Sequence, residues 1–104
     1  MTGFVLHPEA YIDIDEILEF VADDDIDAAD RLRDEMYAVF SGLVSFPHRG
    51  HRRPDLTSRT LRFHRVYEYL IAYAPDENPL LVVAVIHGRR SPRVMAAILR
   101  GRES

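Results

Sequence analysis

Leu80 to Ile86 reads LLVVAVI, an apolar run with no polar interruption. A strand with one face in water alternates apolar and polar residues, whereas an unbroken run needs cover on both faces. The run is far too short to cross a membrane as a helix. A turn-forming stretch, Pro75-Asp76-Glu77-Asn78-Pro79, precedes it and His87-Gly88 follows. It therefore reads as the central strand of a sheet, and other parts of the chain must cover that sheet.

The first half supplies helices. Phe4 to Leu6 is a short apolar stretch with the makings of a strand. His7-Pro8-Glu9 starts a helix: proline at the first helical position has no N–H to lose, and glutamate in the first turn suits the helix dipole. Tyr11, Ile14, Leu18 and Val21 fall on one face of that helix with Ile17 beside them, while Asp13, Glu16 and Glu19 face the other way. Asp23-Asp24-Asp25 ends it and offers a carboxylate to cap the next helix. Ala29, Leu32, Met36, Val39, Phe40 and Leu43 then recur at helical spacing. The pattern stops near Phe46-Pro47, since a residue before proline avoids the helical region. Two amphipathic helices with a tight acidic turn make an antiparallel hairpin.

After Pro47 the texture changes. HRGHRRPDLTSR is polar and holds Arg49, Arg52, Arg53 and Arg59. Leu61-Arg62-Phe63-His64 alternates, and Tyr69-Leu70-Ile71-Ala72-Tyr73 is aromatic and β-branched, so both read as strands. Beyond the central strand, Ser91-Pro92 caps and opens a third helix, Met95, Ile98 and Leu99 give it an apolar stripe, and Gly101 stops it. The order is β-α-α-β-β-β-α, an α+β chain with a helical hairpin packed on a mainly antiparallel sheet. With 104 residues and no linker or repeat, residues 1–104 are expected to form a single domain.

No cysteine is present, so disulfides and thiolate metal sites are excluded. The five histidines have neither the spacing nor the third partner of a metal site, and no metal or cofactor is expected. The start, MTGFVLHPEAY, has no basic region and no long apolar segment, so no signal peptide is read there. A cytoplasmic protein without a membrane span is the expectation. The net charge of −4 hides an asymmetry. Residues 1–48 carry 12 carboxylates against 2 arginines, and residues 49–104 carry 5 against 11. All 13 basic residues are arginine and none is lysine. Either the halves neutralise each other where they meet, or the chain has an acidic face and a basic one that meets an anionic partner.

Three groups could carry chemistry. His87-Gly88-Arg89-Arg90 lies where the central strand ends and a helix begins. Gly88 permits a sharp turn, and guanidinium forks match carboxylate and phosphate geometry. His48, Arg49, His51, Arg52 and Arg53 form a basic loop, which is either a surface for a polyanion or a solvated connection. Arg62 and His64 share one face of a strand, with Arg65 and Phe63 on the other. Tyr37, Phe40, Phe63 and Tyr73 read as core. Neither a nucleophile-elbow motif nor a glycine-rich phosphate loop occurs. The placing of positive charge at turns makes Arg89, Arg90 and Arg93 the expected target contacts, with Arg49, Arg52, Arg53 and Arg62 assisting.

The succession "PEAYIDIDEILEFVADDD", "DAADRLRDEMYAVFSGLVSFPHRG", "RRPDL", "YLIAYAPDE" and "VIHGRRS" resembles the ParE branch of the RelE/ParE toxins of bacterial type II toxin–antitoxin systems. The likeness spans nearly the whole chain and lies in the order of short motifs. It implies a toxin associated with plasmid stabilisation, held in a hetero-oligomer by a cognate antitoxin that neutralises it. It also implies that the target is DNA gyrase and that the toxin performs no chemistry of its own.

The RelE branch implies instead an endoribonuclease that cuts messenger RNA on the ribosome. The chain departs from that pattern. Tyr69 stands where those nucleases carry an arginine, and Met95-Ala96 occupy the place of their C-terminal tyrosine. Arg90 matches their strand-end arginine, but phosphodiester cleavage needs one group to take a proton and one to give it. Only His64 and His87 are left for those parts. A third alternative is a toxin fold without toxicity. The net acidic charge also weakens nonspecific RNA binding, which rests on positive charge.

Overall fold

A computed structural model describes residues 3–103; Met1, Thr2 and Ser104 lie outside the described residues. Helix formation begins as the sequence predicts. In α1 (Pro8–Asp24), Pro8 occupies the first turn and the His7 ring accepts the Glu9 N–H at 3.0 Å. Asp25 ends that helix and caps α2 (Ile26–Ser45), accepting the Ala28 N–H at 3.0 Å. A single carboxylate thus serves the tight turn of the hairpin, because it satisfies an N–H that has no partner inside the helix.

The strands are β1 (Phe4–Leu6), β2 (Arg62–Val66), β3 (Tyr69–Ala74) and β4 (Leu80–His87), followed by α3 (Pro92–Arg100). They form one sheet in the order β1-β4-β3-β2, antiparallel except for the β1–β4 pair. The expected α+β arrangement of strand, helical hairpin, three strands and helix is the one observed. Ser91 caps α3 with its side-chain oxygen on the Val94 N–H at 3.2 Å, and Gly101 ends it.

Both faces of the sheet are covered, which explains the unbroken apolar run of β4. On one face Ile14, Met36, Phe40 and Leu43 of the helical hairpin meet Ile71, Tyr73, Val82 and Val85. Phe40 meets Phe4 and Tyr37 edge-on there and Phe4 lies tilted to Tyr37, with ring centres 5.3–6.2 Å apart. Such aromatic pairs add about 1 kcal/mol each beyond the area they bury. On the other face Met95 and Leu99 of α3 join Leu56, Leu61, Phe63, Val83, Ala84 and Ile86. Val83 and Ala84 are adjacent yet lie in the same cluster. The register explains it: Ala72 pairs with Ala84 and Tyr73 with Val82, so Val83 is the extra residue of a bulge.

Two expectations for α1 fail. Tyr11, predicted to face the core, is 54% exposed; Ala10 takes the inward position with Ile14. Asp13, predicted to face solvent, is drawn inward instead. Strand β1 is only 3 residues long beside the 8 of β4, so β4 runs on past the end of its neighbour. Asp13 and Arg102 cover the uncovered stretch. The Val85 N–H donates to Asp13 Oδ2 at 2.9 Å, Arg102 Nη1 donates to the Val83 carbonyl at 3.1 Å, and Arg102 Nη2 donates to Asp13 Oδ1 at 2.8 Å. Arg102 Nη1 also donates to Asp13 Oδ2. Together the two side chains supply the edge contacts a longer β1 would have made.

Candidate functional site

The strand-to-helix corner after β4 is built on backbone contacts that leave its arginine side chains out of the framework. The Gly88 N–H donates to the Glu68 carbonyl at 2.7 Å, which ties the corner to the β2–β3 turn. A Cβ on Gly88 would lie 3.0 Å from that carbonyl oxygen, so close approach favours glycine. The His87 ring accepts the Arg89 N–H on Nδ1 at 3.0 Å, and its carbonyl accepts the Arg90 N–H at 3.0 Å. The same ring meets Tyr69 edge-on at 5.3 Å, and its Nε2 lies 3.8 Å from the Glu68 carboxylate. The turn is held on several sides, so side chains leaving it start from a fixed base.

Arg89, Arg90 and Arg93 are all exposed. Among the described residues, no carboxylate lies within 4.0 Å of any of the three. The acidic half of the chain does not neutralise them: Asp13–Arg102 is the only arginine–carboxylate pair among the described residues that joins residues 1–48 to residues 49–103. Sequence reasoning set Arg65 apart because it faces away from Arg62 and His64. The register brings it to the corner, with Val66 opposite Tyr69 and Tyr69 opposite His87. An Arg65 guanidinium nitrogen sits 3.7 Å from where a Gly88 Cβ would be. A cavity of about 270 Å³ opens beside the corner, lined by Ile17, Phe20, Glu68, Tyr69, His87 and Arg90 among others.

The basic loop lies elsewhere. Tyr73, at the opposite end of β3 from Tyr69, anchors it by donating to the Pro47 carbonyl at 2.7 Å and accepting the Gly50 N–H at 2.9 Å. Four residue steps along the strand separate Tyr73 from Tyr69, about 13 Å. Arg62 donates to the Gly50 carbonyl at 2.7 Å, so its side chain braces the loop. Arg53 is paired with Asp55 through two bonds of 2.8 and 2.9 Å. Arg49 lies over the Phe46 ring, 5.2 Å from its centre. Arg52 is exposed. The seven arginines expected to contact a target thus fall into a corner of three and a loop group of four, and in the loop group Arg49, Arg53 and Arg62 make internal contacts.

Tyr73 sets the first expected outcome. Its ring is fully buried. Tyr73→Phe strands the buried Gly50 N–H and should cost about 1–3 kcal/mol, read as a lower urea midpoint with an unchanged slope.

His64 and His87 do not share a site. His64, on β2, pairs with Ile71 of β3, and His87, on β4, pairs with Tyr69 of β3, so β3 runs between them. Two inter-strand steps alone separate their strands by about 10 Å. A paired acid and base acting on one phosphodiester has no support in that placement. Burial, then the nearby Arg49 and His51, pushes the His64 imidazole below its usual range. The unfolded chain therefore binds that proton more readily. The fold loses stability as pH falls through about 6.5 toward the lower folded value, and none above it. His64→Gln should flatten the pH dependence of the urea midpoint between about pH 7 and pH 5.

Among the described residues, no three His, Asp or Glu side chains are placed to share a metal ion, and no helix is long and apolar enough to cross a membrane. The family model described as ParE toxin of type II toxin-antitoxin system, parDE, matches residues 4–92. No curated protein matches the chain.

Proposed function

Because the chain belongs to the ParE toxin family of type II toxin–antitoxin systems, we propose that it inhibits growth by binding and poisoning DNA gyrase, and that a cognate antitoxin neutralises it by binding it. The observation that carries this reading is the exposure of Arg89, Arg90 and Arg93 without carboxylate partners, on a corner whose backbone is fixed. Guanidiniums left free in this way form charge-assisted, forked contacts with carboxylates on a protein. The net acidic chain disfavours a long phosphate track, since each phosphate contact asks for a positive charge. The toxin in this reading acts by occupancy.

The decisive experiment sets purified chain against purified gyrase and against a translating extract. Supercoiling should fall with added chain, recover on adding the antitoxin, and messages should stay intact. Undisturbed supercoiling together with cut messages would overturn the reading in favour of ribosome-dependent cleavage.

A further inference from the structure

The two-residue turn between β2 and β3 carries an unusual choice of residue. Tyr67 has φ +52°, the left-handed region, where the side chain of an ordinary L-residue crowds the backbone and glycine or asparagine fits at lower cost. Its ring is 62% exposed, so burial does not offset the strain. Residues held in such conformations gather at active sites, ligand clamps and switch regions. Beside it is Phe20 of α1, at 77% exposed more open to water than any other large apolar side chain among the described residues. The two rings edge one depression of about 380 Å³, with Val21, Ala28 and Leu32 also lining it and one residue of each charge, Arg31 and Glu68, at its wall. The Glu68 carbonyl that receives the Gly88 N–H joins this turn to the arginine corner, so rings and guanidiniums occupy the same end of the molecule.

We propose that Tyr67 and Phe20 are the apolar anchors of a docking surface for an acidic protein partner. An apolar side chain of that partner enters the depression, and its carboxylates meet Arg31, Arg65, Arg89 and Arg90. Rigid aromatics set among arginines are the residue types that dominate protein interfaces, and the guanidiniums give the charge complementarity. Asp23, Asp24 and Asp25 line a second depression that shares Phe20, Val21 and Ala28 with the first. They repel the same carboxylates and so fix which way round the partner sits. The inference rests on the reading of the corner as the toxin's target surface and adds to it the apolar contacts and the partner's chemistry.

The test uses the full chain, co-expressed with its antitoxin and then separated from it. Tyr67→Asn removes the ring and keeps a residue suited to φ +52°, so its melting temperature should stay within about 4 °C of wild type. Its binding to purified gyrase should weaken at least 30-fold, roughly the loss of an interface hot spot, and growth inhibition should fall in step. Tyr67→Phe should retain both, and Ile12→Ser, on the outward side of α1, should match wild type. Phe20→Ser gives an independent reading if Tyr67→Asn lowers the melting temperature further. Full growth inhibition by a stably folded Tyr67→Asn chain overturns the proposal. So does a change confined to antitoxin binding, to self-association in light scattering, or to binding of a 20-nucleotide RNA or DNA. If wild type slows growth without binding gyrase and Tyr67→Asn abolishes the effect, the gyrase reading fails and the docking surface stands. If wild type neither slows growth nor binds gyrase, both fail.

Discussion

Replacing Arg89 and Arg90 together by glutamate is expected to abolish growth inhibition while leaving the fold and antitoxin binding intact. Both side chains are exposed and make no ion pair among the described residues. The backbone bonds that shape the corner come from His87, Gly88 and the main chain of Arg89 and Arg90, and the substitution keeps all of them. Surface changes of this kind usually alter stability by no more than about 0.5 kcal/mol. Binding is affected differently. Reversing two charges replaces attraction by repulsion against an acidic surface, and each contact of this kind is worth about 2 kcal/mol or more when desolvated. A loss of roughly 100-fold or greater in target affinity follows. The check is an induced growth assay run beside antitoxin binding and a thermal melt. Unchanged toxicity in a folded, antitoxin-competent double variant would show that the corner has no part in target recognition.

The largest effect on stability is expected at the other end of the ion-pair inventory. Asp13→Ala removes the acceptor of the Val85 N–H and both oxygens bound by Arg102. The side chains of Arg102 and Asp13 are only 11% and 14% exposed. Asp13 is also the main reason the Arg102 guanidinium holds its proton more tightly than usual. Removing one partner of such a pair leaves a desolvated charge and an orphaned backbone N–H. The cost should be about 3 kcal/mol, or a fall of roughly 12–24 °C in melting temperature for a chain of this size. Arg102→Ala should cost less, because Asp13 keeps the Val85 N–H and water can reach a carboxylate once the guanidinium is gone. A double-mutant cycle should return a coupling above about 1 kcal/mol. A cycle near zero would mean that each side chain matters only through its own backbone contact.

Sequence reasoning recovered the elements because their signals are local. Asp25 and Ser91 cap helices by reaching two or three residues along, Pro8 and Pro92 start them, and the apolar run of β4 announces a two-sided core. The exposure of Arg89, Arg90 and Arg93 was legible for a related reason: a glycine turn between a buried strand and a capped helix points its neighbours outward. What could not be read was set by pairing between distant segments. Asp13 looked like one more surface carboxylate because nothing near it in sequence reports that β1 stops short of β4. Arg102 drew no notice for the same reason. Arg62 was grouped with the target contacts, yet its role depends on the Gly50 carbonyl, 12 residues away. Tyr67 carries no signal of its own in the sequence: the two-residue turn it occupies emerges only from the pairing of β2 with β3, and its meaning depends on Phe20 standing beside it. The β-strand register decides each of these, and period-two alternation gives faces without giving neighbours.

Helices carrying most of the carboxylates lie on one side of the sheet and the free arginines lie at its end and beyond, with a single guanidinium–carboxylate bridge between the two halves among the described residues. A body charged in this lopsided way has a lasting dipole moment. Near an acidic macromolecule it turns before it touches, presenting its cationic end first. Added salt should therefore lengthen the search for the partner far more than it shortens the time spent attached.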